Sequence, residues 1–498
     1  MDREDNSSRD IPEVTPAPVT VTGAPPLDAQ AQFRRRRRLI PMIIGGGLLM
    51  NNLDSTVLAN ALPAMARSLH EDPLTLNLAI TAYLLSSALF LPLSGWVADR
   101  FGARRVFMAA MIGFATTSLL CGFSQNLEQV IAARFLQGAA GALMVPVARL
   151  VLLRSAPKDE LVDALTTLTM PAVVGPILGP PLGGLIVTVA SWREIFFLNV
   201  PIAIIGVLLT RAYVPDIAED NPGRFDTRGF ILSALGLGGV VFGFQNLGRG
   251  ILPLPVALSV AAIGAVAAWM FVHHARETPN AIMDLSILKT RTFFTAVIGG
   301  WFPRLILGAS PFLLALMLQV ALGMSALDAG LITFVSAIGA LLMKTTAPPI
   351  LRRFGFRNTL IVVALLTSGL TASYAMFNGA TPHWLILIIL FASGFCRSLQ
   401  FTALNTLAFA DMTADKMSKA SVLQSVGQQV AQSMGTSVAA LLVHMFMISA
   451  GVSALSLAVI APAFVVISAL GLIGLFFLFA MPKNAGASIL VRHAAAVD

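Results

Sequence analysis

One carboxyl group lies deep inside an apolar stretch near the start of the sequence. The stretch begins at Leu39 and includes the segment NNLDSTVLANALP, which contains Asp54. In a helix that starts at Leu39, Asp54 would lie roughly 22 Å from the helix start. A carboxyl group at this depth can exchange a proton, or it can stay ionised beside a cation. Because burying such a group is costly, we interpret Asp54 as a functional residue.

A guanidinium group is expected at a comparable depth in another apolar stretch. Arg134 would lie roughly 10 Å from the start of a helix that begins at Leu127 and runs in the opposite direction. Two interpretations stay open for the pair. Asp54 either exchanges a proton under the influence of Arg134, or remains permanently ionised and pins the two helices together.

Three more cations fall within apolar stretches, and no second acid accompanies them at depth. Arg304, Lys344 and Arg397 should face the protein interior, because exposure to lipid would be costly. An interior with excess positive charge suits anionic or neutral amphipathic solutes better than organic cations. Alternatively, backbone carbonyls and helix C-termini neutralise Arg304 and Arg397, and these two arginines do not touch a substrate.

Uncharged amides form a third group of candidate cavity residues. Gln424, Gln428 and Gln432 recur every four residues, on one face of a helix. Such a stripe can line a polar cavity or hold neighbouring helices together by hydrogen bonds. The other amide candidates for the cavity are Asn60, Gln137 and Gln400.

The elements that position these residues must be membrane-spanning helices. Of the 498 residues, 56 % are hydrophobic and only 12 % are charged, which excludes an ordinary soluble protein. Apolar stretches of about 20 residues recur between Leu39 and Ala480, as an all-α membrane protein requires. The two cysteines and six histidines predict neither a disulfide framework nor a metal site. A membrane-embedded enzyme would need a second carboxylate at depth, and a primary pump would need a nucleotide-binding loop. The sequence shows neither feature, so we expect neither an enzyme nor a primary pump, and we expect no cofactor.

Breaks in the apolar pattern divide the chain into fourteen predicted spans. With a cytoplasmic N-terminus, Arg and Lys concentrate in the even-numbered connections, whereas the odd ones carry Arg67, Arg193 and Arg249. This bias predicts that both termini are cytoplasmic, in a multi-pass protein of the cytoplasmic (inner) membrane. The spans are predicted to begin near Leu39, Thr75, Arg105, Leu127, Leu161, Glu194, Asp226, Ile251, Thr292, Ala326, Asn358, Pro382, Met417 and Val452.

The N-terminal segment ends in a block of five arginines, Arg34 to Arg38. We interpret the block as an orientation signal beside anionic lipid rather than an arm that binds nucleic acid. The predicted organisation is a disordered tail over 1–38, a six-helix bundle over 39–213, two inserted helices and their loops over 214–291, a second six-helix bundle over 292–481, and a cytoplasmic tail over 482–498.

An internal repeat supports this division into halves. GWVADRFGARR (95–105) and PPILRRFGFRN (348–358) both contain Arg-Phe-Gly followed two residues later by Arg. RFLQ at Arg134 and RSLQ at Arg397 fall at matching positions of the two halves. Duplicated six-helix halves are typical of transporters, which bind substrate between the halves near the middle of the membrane.

Four motifs in order resemble those of the major facilitator superfamily, across about Leu39 to Ala480. GWVADRFGARR is similar to its loop motif, and GPILGPPLGG (175–184) is similar to the fifth-helix motif of its antiporters. LDSTVLANALP and SWREIFFLNVPI resemble the fourteen-helix drug:proton antiporter branch of the EmrB/QacA type, and phrases such as GALMVPVARL resemble its MdtD-type subgroup.

The resemblance implies roles for three sets of residues. Asp54 and Arg134 would couple transport to protons. The loop motif would lock the cytoplasmic gate, and the fifth-helix motif would form a bendable seam against leaks. Because the second loop has Pro348 and Arg352 where the first has Gly95 and Asp99, the gating contacts should be asymmetric. The gate residues are Gly95, Asp99, Arg100, Gly102, Arg104 and Arg105, and the seam residues are Gly175, Pro176, Gly179, Pro180, Gly183 and Gly184.

The expected function is export of small amphipathic compounds in exchange for protons, by alternating access within the lipid bilayer. The alternative is a dedicated exporter of organic anions such as metal-chelating carboxylates, which the excess of positive charge would favour. The proton gradient would supply the energy, and the protein would act as a monomer without a nucleic-acid partner.

Overall fold

The computed structural model describes residues 27–71, 73–155, 161–216, 223–246, 253–278, 281–324, 326–413, 416–452 and 455–487, which are helical and contain no strand within these ranges. The first half comprises α1 Leu27–Leu69, α2 Pro73–Phe90, α3 Leu93–Phe101, α4 Ala103–Phe123, α5 Leu127–Ser155, α6 Leu161–Val189, α7 Glu194–Phe197 and α8 Asn199–Tyr213. The inserted helices are α9 Thr227–Asn246 and α10 Leu254–Glu277.

The second half begins with α11 Arg291–Phe294, which continues through a π-helical turn into α12 Trp301–Ala315 and a second π-helical turn at Leu316–Ala321. It continues with α13 Ala326–Ser373, α14 His383–Phe409, α15 Met417–Ala450, α16 Leu457–Leu472 and α17 Gly474–Phe479. Short 3-10 turns lie at Leu285–Lys289 and Tyr374–Met376.

The helices are long and apolar enough for a multi-pass membrane protein. In the described ranges, ten helical segments meet the length and hydropathy of a span, and the pair α2 and α3, bent by 60°, makes an eleventh. One of the ten covers Asp328–Met376, but Gly355 breaks its helix with a φ of 73° and a ψ of 166°, so this stretch supplies two crossings. Although α1 and α6 are not among the ten, the helix order follows the fourteen predicted spans.

One boundary differs from the sequence prediction. The tail predicted over 1–38 ends earlier, because α1 already begins at Leu27. Arginine is a good helix former, so the block at Arg34–Arg38 continues the apolar helix that follows it. Residues 1–26, and residues 488–498 of the predicted C-terminal tail, lie outside the described ranges.

The packing separates two groups of helices. In the first half, α1 packs against α6 and α8, and α5 packs against α2 and α4. In the second half, α12 packs against α15 and α16, and α13 packs against α14 and α16. The inserted α9 packs against α10 and also contacts α2 and α15, so it touches both halves.

Asp226 ties the inserted helices together just before α9. Its carboxylate accepts hydrogen bonds from the N–H of Gly229 (2.8 Å), from His274 Nε2 at the end of α10 (2.8 Å) and from the N–H of Ile282 (3.2 Å). Partial burial raises the pKa of Asp226, but these hydrogen bonds outweigh it and hold the pKa below its usual range. The carboxylate therefore stays charged and fixes the loop.

Candidate functional site

Asp54 and Arg134 form a direct ion pair inside the first half. Asp54 on α1 is 2 % exposed and Arg134 on α5 is 1 % exposed, and Arg134 Nη1 lies 2.6 Å from Asp54 Oδ2. The antiparallel helices bring the two groups to one depth, as their positions along the apolar stretches predict. A buried pair of this kind needs further hydrogen bonds to offset its loss of hydration.

Two amide side chains, Gln137 of α5 and Asn199 of α8, complete the hydrogen bonds of the pair. Gln137 Nε2 donates to Asp54 Oδ1 (3.2 Å) and to Ser118 Oγ (2.6 Å), while its Oε1 accepts from Arg134 Nη1 (2.6 Å). Asn199 Nδ2, at the start of α8, donates to Asp54 Oδ1 at 2.9 Å. Gln137 was predicted for the substrate cavity, but it lies in this cluster. Sequence reasoning missed Asn199, although an amide in the apolar stretch SWREIFFLNVPI was the available signal.

Tyr83 covers the other side of Arg134. The guanidinium carbon lies 4.4 Å from the centre of the Tyr83 ring, and the Tyr83 hydroxyl donates to Asn51 Oδ1 at 3.0 Å. The Nε of Arg134 is buried without a hydrogen-bond partner in the described part of the chain. Aromatic contact partly compensates for this missing bond.

The glycine seam of α6 packs directly on the turn of α1 that carries Asp54. A Cβ added at Gly175 would lie 2.9 Å from Leu53 N, and one added at Gly183 would lie 3.0 Å from Val57 O. Thr56 Oγ1 donates to Gly175 O at 3.3 Å and also meets the Cβ position of Gly179. The absence of side chains therefore lets α6 approach the Asp54 turn closely. Pro176, Pro180 and Gly184 have described helical backbones, but their side-chain surroundings lie outside the described structure.

Valine at Gly179 should separate α6 from α1 and impair both folding and transport. Its Cβ would lie 2.7 Å from Thr56 Cβ, and overpacking of this kind costs about 1–3 kcal/mol. Thermal unfolding in detergent and transport in proteoliposomes would measure the effect. Gly46→Val on α1 is the matched control, because nothing lies within 4 Å of its Cβ position. Equal behaviour of the two variants would contradict close packing at the seam.

Asp99 lies where α3 meets α4 and α15 begins, an end of the bundle that we call the gate end. Asp99 Oδ1 accepts from Arg154 Nη2 of α5 at 2.7 Å, and the Asp99 residue is 9 % exposed. Ser418 and Lys419, in the first turn of α15, also interact with Asp99. The positive end of the α15 dipole adds to this attraction. Asp99 thus connects the first half with a helix of the second half.

Gly95 allows the two halves to touch at the gate end. Its carbonyl accepts from Ser418 Oγ at 3.3 Å, and an added Cβ would lie 2.7 Å from Val422 Cγ2. Gly102 ends α3 with a φ of 88°, a conformation that favours glycine. Arg104 and Arg105 both pair with Asp216, at 3.4 and 2.9 Å, whereas Arg100 is exposed. Among the gate arginines predicted from the loop, none is the described partner of Asp99; Arg154 takes that place.

The second loop contributes a cation to the contact between the halves. Arg352 Nη2 on α13 lies 2.6 Å from Asp163 Oδ2 on α6. In the first loop an acid, Asp99, contacts the other half at the start of α15. In the second loop a cation, Arg352, contacts the other half at α6. This difference in charge agrees with the asymmetry expected from the two motifs.

Charge reversal at Arg352 should loosen the gate end slightly. The pair is partly exposed, so Arg352→Glu should change the free energy of closure by under about 1 kcal/mol. Distances between spin labels at the exposed positions Arg211 and Asn358 should then shift toward longer values. Combining Arg352→Glu with Asp163→Arg should reverse the shift, because the pair is restored with its charges exchanged. Arg353→Glu is the control, because the described contact of Arg353 is with the Phe354 ring. An equal shift in that variant would contradict a specific pair.

Of the predicted cavity cations, Lys344 and Arg304 are buried and Arg397 is partly buried. Lys344 donates to Thr169 Oγ1 of the first half (2.8 Å) and to Thr402 Oγ1 of the second (2.9 Å). Arg304 Nη1 donates to the Ala296 carbonyl (2.9 Å), and Arg397 Nη2 donates to Ser336 Oγ (2.6 Å). In the described ranges, none of the three cations forms a salt bridge.

Sequence reasoning missed a further buried cation, Arg149 on α5, which is 5 % exposed and donates to Ser425 Oγ of α15 at 3.1 Å. The available signal was its place in the same apolar stretch as Arg134. Next to it, Ser421 Oγ donates to the Pro146 carbonyl at 2.9 Å. The described hydrogen bonds between the halves, from Ser418, Ser421, Arg149, Lys344 and Arg352, lie toward the gate end, which is closed in this conformation.

The predicted glutamine candidates fall into different environments. Gln424 donates to Asn405 Oδ1 at 2.8 Å, so it joins α15 to α14. The Oε1 of Gln428 is buried without a partner in the described part of the chain, and Gln432 packs through its backbone on Gly308. Gln400 lines a narrow cavity with Arg304 and Arg397. The side chain of Asn60 lies outside the described structure.

No group of three or more His, Cys, Asp or Glu side chains in the described ranges could hold a metal ion. The described polar side chains instead form the ion-pair cluster around Asp54, the gate contacts and the separate set of cations.

Comparison with known proteins gives concordant results. The model of the Major Facilitator Superfamily matches residues 44–436. The chain is 37 % identical over 405 residues to "Putative multidrug resistance protein MdtD" of Escherichia fergusonii and 36 % identical to the protein of that name from Shigella sonnei; both alignments cover 81 % of this chain and 86 % of the relative.

Solved transporter structures share the fold. The human organic anion transporter MFSD10 aligns with a TM-score of 0.63 and 17 % identity, over 89 % of this chain and 99 % of that chain. The proton:xylose symporter XylE aligns with a TM-score of 0.65 and 14 % identity, over 92 % of this chain and 97 % of that chain.

Proposed function

Since the chain belongs to the major facilitator superfamily, we propose that it is a proton-coupled, multidrug-type exporter that moves small amphipathic compounds by alternating access. The names of its relatives support the multidrug type. The observation that most directly supports coupling of transport to protons is the buried Asp54–Arg134 pair. Its amide partners surround it, and it packs against the α6 seam.

Asp54 exchanges the proton in this mechanism. With the gate end closed, Arg134, Gln137 and Asn199 stabilise the ionised carboxylate. When helices move and these donors separate from it, the carboxylate takes a proton on one of its oxygens, since an unpaired charge at this depth is costly. The seam between α6 and α1 transmits the motion, because any tilt of α6 presses on the turn that holds Asp54.

The gate end faces the cytoplasm in this proposal, as the distribution of positive charge predicts. Both termini are cytoplasmic in the inner membrane, the two bundles (39–213 and 292–481) rock around the inserted helices, and the proton gradient supplies the energy without a cofactor. The protein works as a monomer and binds no nucleic acid.

Transport in proteoliposomes tests the proposal. A vesicle interior that is more acidic than the outside should drive uptake of an amphipathic dye such as ethidium. Protons should leave the vesicle in proportion to the dye that enters. A protonophore should abolish it. Dye movement that ignores the proton gradient would refute coupling, and the absence of transport for dyes and for neutral and anionic amphipaths would refute the exporter.

A further inference from the structure

A groove opens on the surface of the first half, where α3 follows the 60° bend after α2 and meets α4 and α5. Its volume is about 650 Å³, within the range of about 300–1,000 Å³ that is usual for sites that hold small molecules. We call it the α3 groove. Apart from two arginines its lining is apolar, and it includes Phe90, Leu93, Val97, Ala109, Ala140 and Leu143.

The α3 groove faces the surroundings of the helix bundle rather than its interior. Ile112 follows the groove residue Ala109 by three positions on α4, and Leu136 precedes the groove residue Ala139 by three positions on α5. Both Ile112 and Leu136 are more than half exposed. Because residues three apart lie on one face of a helix, the groove continues an exposed apolar surface. In a membrane protein, lipid chains cover such a surface.

One end of the α3 groove lies at the level expected for lipid headgroups. Phe101 is exposed at the end of α3, and its ring centre lies 6.3 Å from that of Trp96, in an edge contact. Tryptophan is enriched where the membrane meets water. Arg100 and Arg105 line the groove at this end, which we call its mouth, and both are exposed. From the mouth, the lining on α4 continues to Ala110, roughly 8 Å along the helix.

The mouth has an excess of positive charge. In the described part of the chain, Arg100 has no hydrogen-bond or ion-pair partner, and Arg105 uses only its Nε, which lies 2.9 Å from Asp216 Oδ2. Arg104 shares the same carboxylate at 3.4 Å. One carboxylate therefore serves two arginines, and a third arginine is left without an acid. Guanidinium groups with free N–H donors are well matched to the oxygens of a phosphate group.

We propose that the α3 groove binds an anionic glycerophospholipid from the leaflet that the gate end faces. Its phosphate lies between Arg100 and Arg105, and the first part of an acyl chain fills the apolar lining. A soluble phosphate compound would leave that lining uncovered, and a zwitterionic lipid would bring a cation close to the arginines. The nearby Asp99 does not oppose the headgroup, because it is paired with Arg154. This inference goes beyond the proposed function, since it involves neither the proton nor the transported compound.

Native mass spectrometry of the purified full-length protein tests the headgroup preference. The protein in a mild detergent is mixed with equal amounts of dioleoylphosphatidylglycerol and dioleoylphosphatidylcholine, which share their acyl chains and differ in headgroup charge. The protein should retain the phosphatidylglycerol about fivefold more or better, because each basic residue at the membrane surface attracts an anionic headgroup. Equal retention of the two lipids would overturn the proposal.

Variants at the mouth locate the site, since other basic surfaces of the chain can also attract anionic lipid. Arg100→Gln and Arg105→Gln should each lower retention of phosphatidylglycerol about fivefold and leave that of phosphatidylcholine within about twofold. Arg276→Gln, which removes an exposed charge at the end of α10, is the control and should change neither. An equal loss in Arg276→Gln, or no loss in both mouth variants, would overturn the assignment.

A second pair of variants tests the apolar part of the α3 groove. Ala109 is exposed in the groove, so Ala109→Phe should fill it without overpacking the interior and should lower retention of phosphatidylglycerol about fivefold or more. Ile112→Phe, one turn further along α4 and outside the groove, is the matched control. Glycerol phosphate, which has the charge without the chain, should not displace the lipid. Unchanged retention in Ala109→Phe, or displacement by glycerol phosphate, would overturn the lipid as the occupant.

Discussion

Asp54→Asn should abolish proton-driven transport while substrate binding persists. Asparagine can still accept a hydrogen bond from Arg134 or donate to a neighbour, but it cannot take up or release a proton. Exchange of substrate for substrate across the membrane, which needs no proton gradient, should therefore continue. The measurement compares gradient-driven uptake with substrate exchange in the same proteoliposomes. Retained gradient-driven uptake would refute proton exchange at Asp54.

A second variant separates coupling from a permanent ion pair. Asp54→Asn alone leaves Arg134 buried without its counterion, which should lower the free energy of unfolding by on the order of 3 kcal/mol. Asp54→Asn combined with Arg134→Gln should recover that stability in thermal unfolding. If the pair only pins α1 to α5, the double variant should also recover driven transport. If Asp54 exchanges the proton, driven transport stays lost. Ser55→Ala, at the exposed neighbouring position, is the control and should change nothing.

Asp99→Asn should slow transport about tenfold without reducing membrane insertion. The substitution removes the ion pair with Arg154 and weakens the contact with the start of α15, so the gate end closes less often. A coupling free energy of about 1–3 kcal/mol corresponds to a change of this size. Initial transport rates at equal protein density measure the loss, and a fluorescent fusion measures insertion.

Arg100→Gln is the matched control for Asp99. Arg100 belongs to the same loop motif, but it is exposed and has no described ion-pair partner. Its replacement should reduce transport much less than Asp99→Asn. Normal transport by Asp99→Asn, or an equal loss in both variants, would contradict a specific gating role for Asp99.

The resemblance to the major facilitator superfamily and to its MdtD-type members is confirmed, and so is the predicted fold. Both followed from features that local sequence determines. A span is recorded in the chain as a run of about 20 apolar residues, because each helix must meet lipid along its own length. The repeat of Arg-Phe-Gly in the two loops likewise showed the duplication without any knowledge of packing.

Where sequence reasoning failed, the missing information was the rotation and partner of each helix. Asp54 and Arg134 could be placed at one depth from their positions along the chain, but their 2.6 Å contact, and Asn199 beside them, depend on how α1, α5 and α8 pack. For the same reason Asp99 pairs with Arg154 of α5 and not with the arginines that follow it in the loop. Those arginines point instead to Asp216.

By itself, then, the sequence determined the membrane helices and the family, and it predicted the two halves and a deep acid at Asp54, because hydropathy, charge and local motifs are properties of continuous segments. Only the tertiary structure decided which charges meet. It placed Arg134 against Asp54, and it joined Arg149 of the first half to Ser425 of the second. Such contacts depend on the side-chain packing between helices far apart in the chain, and no local pattern records it.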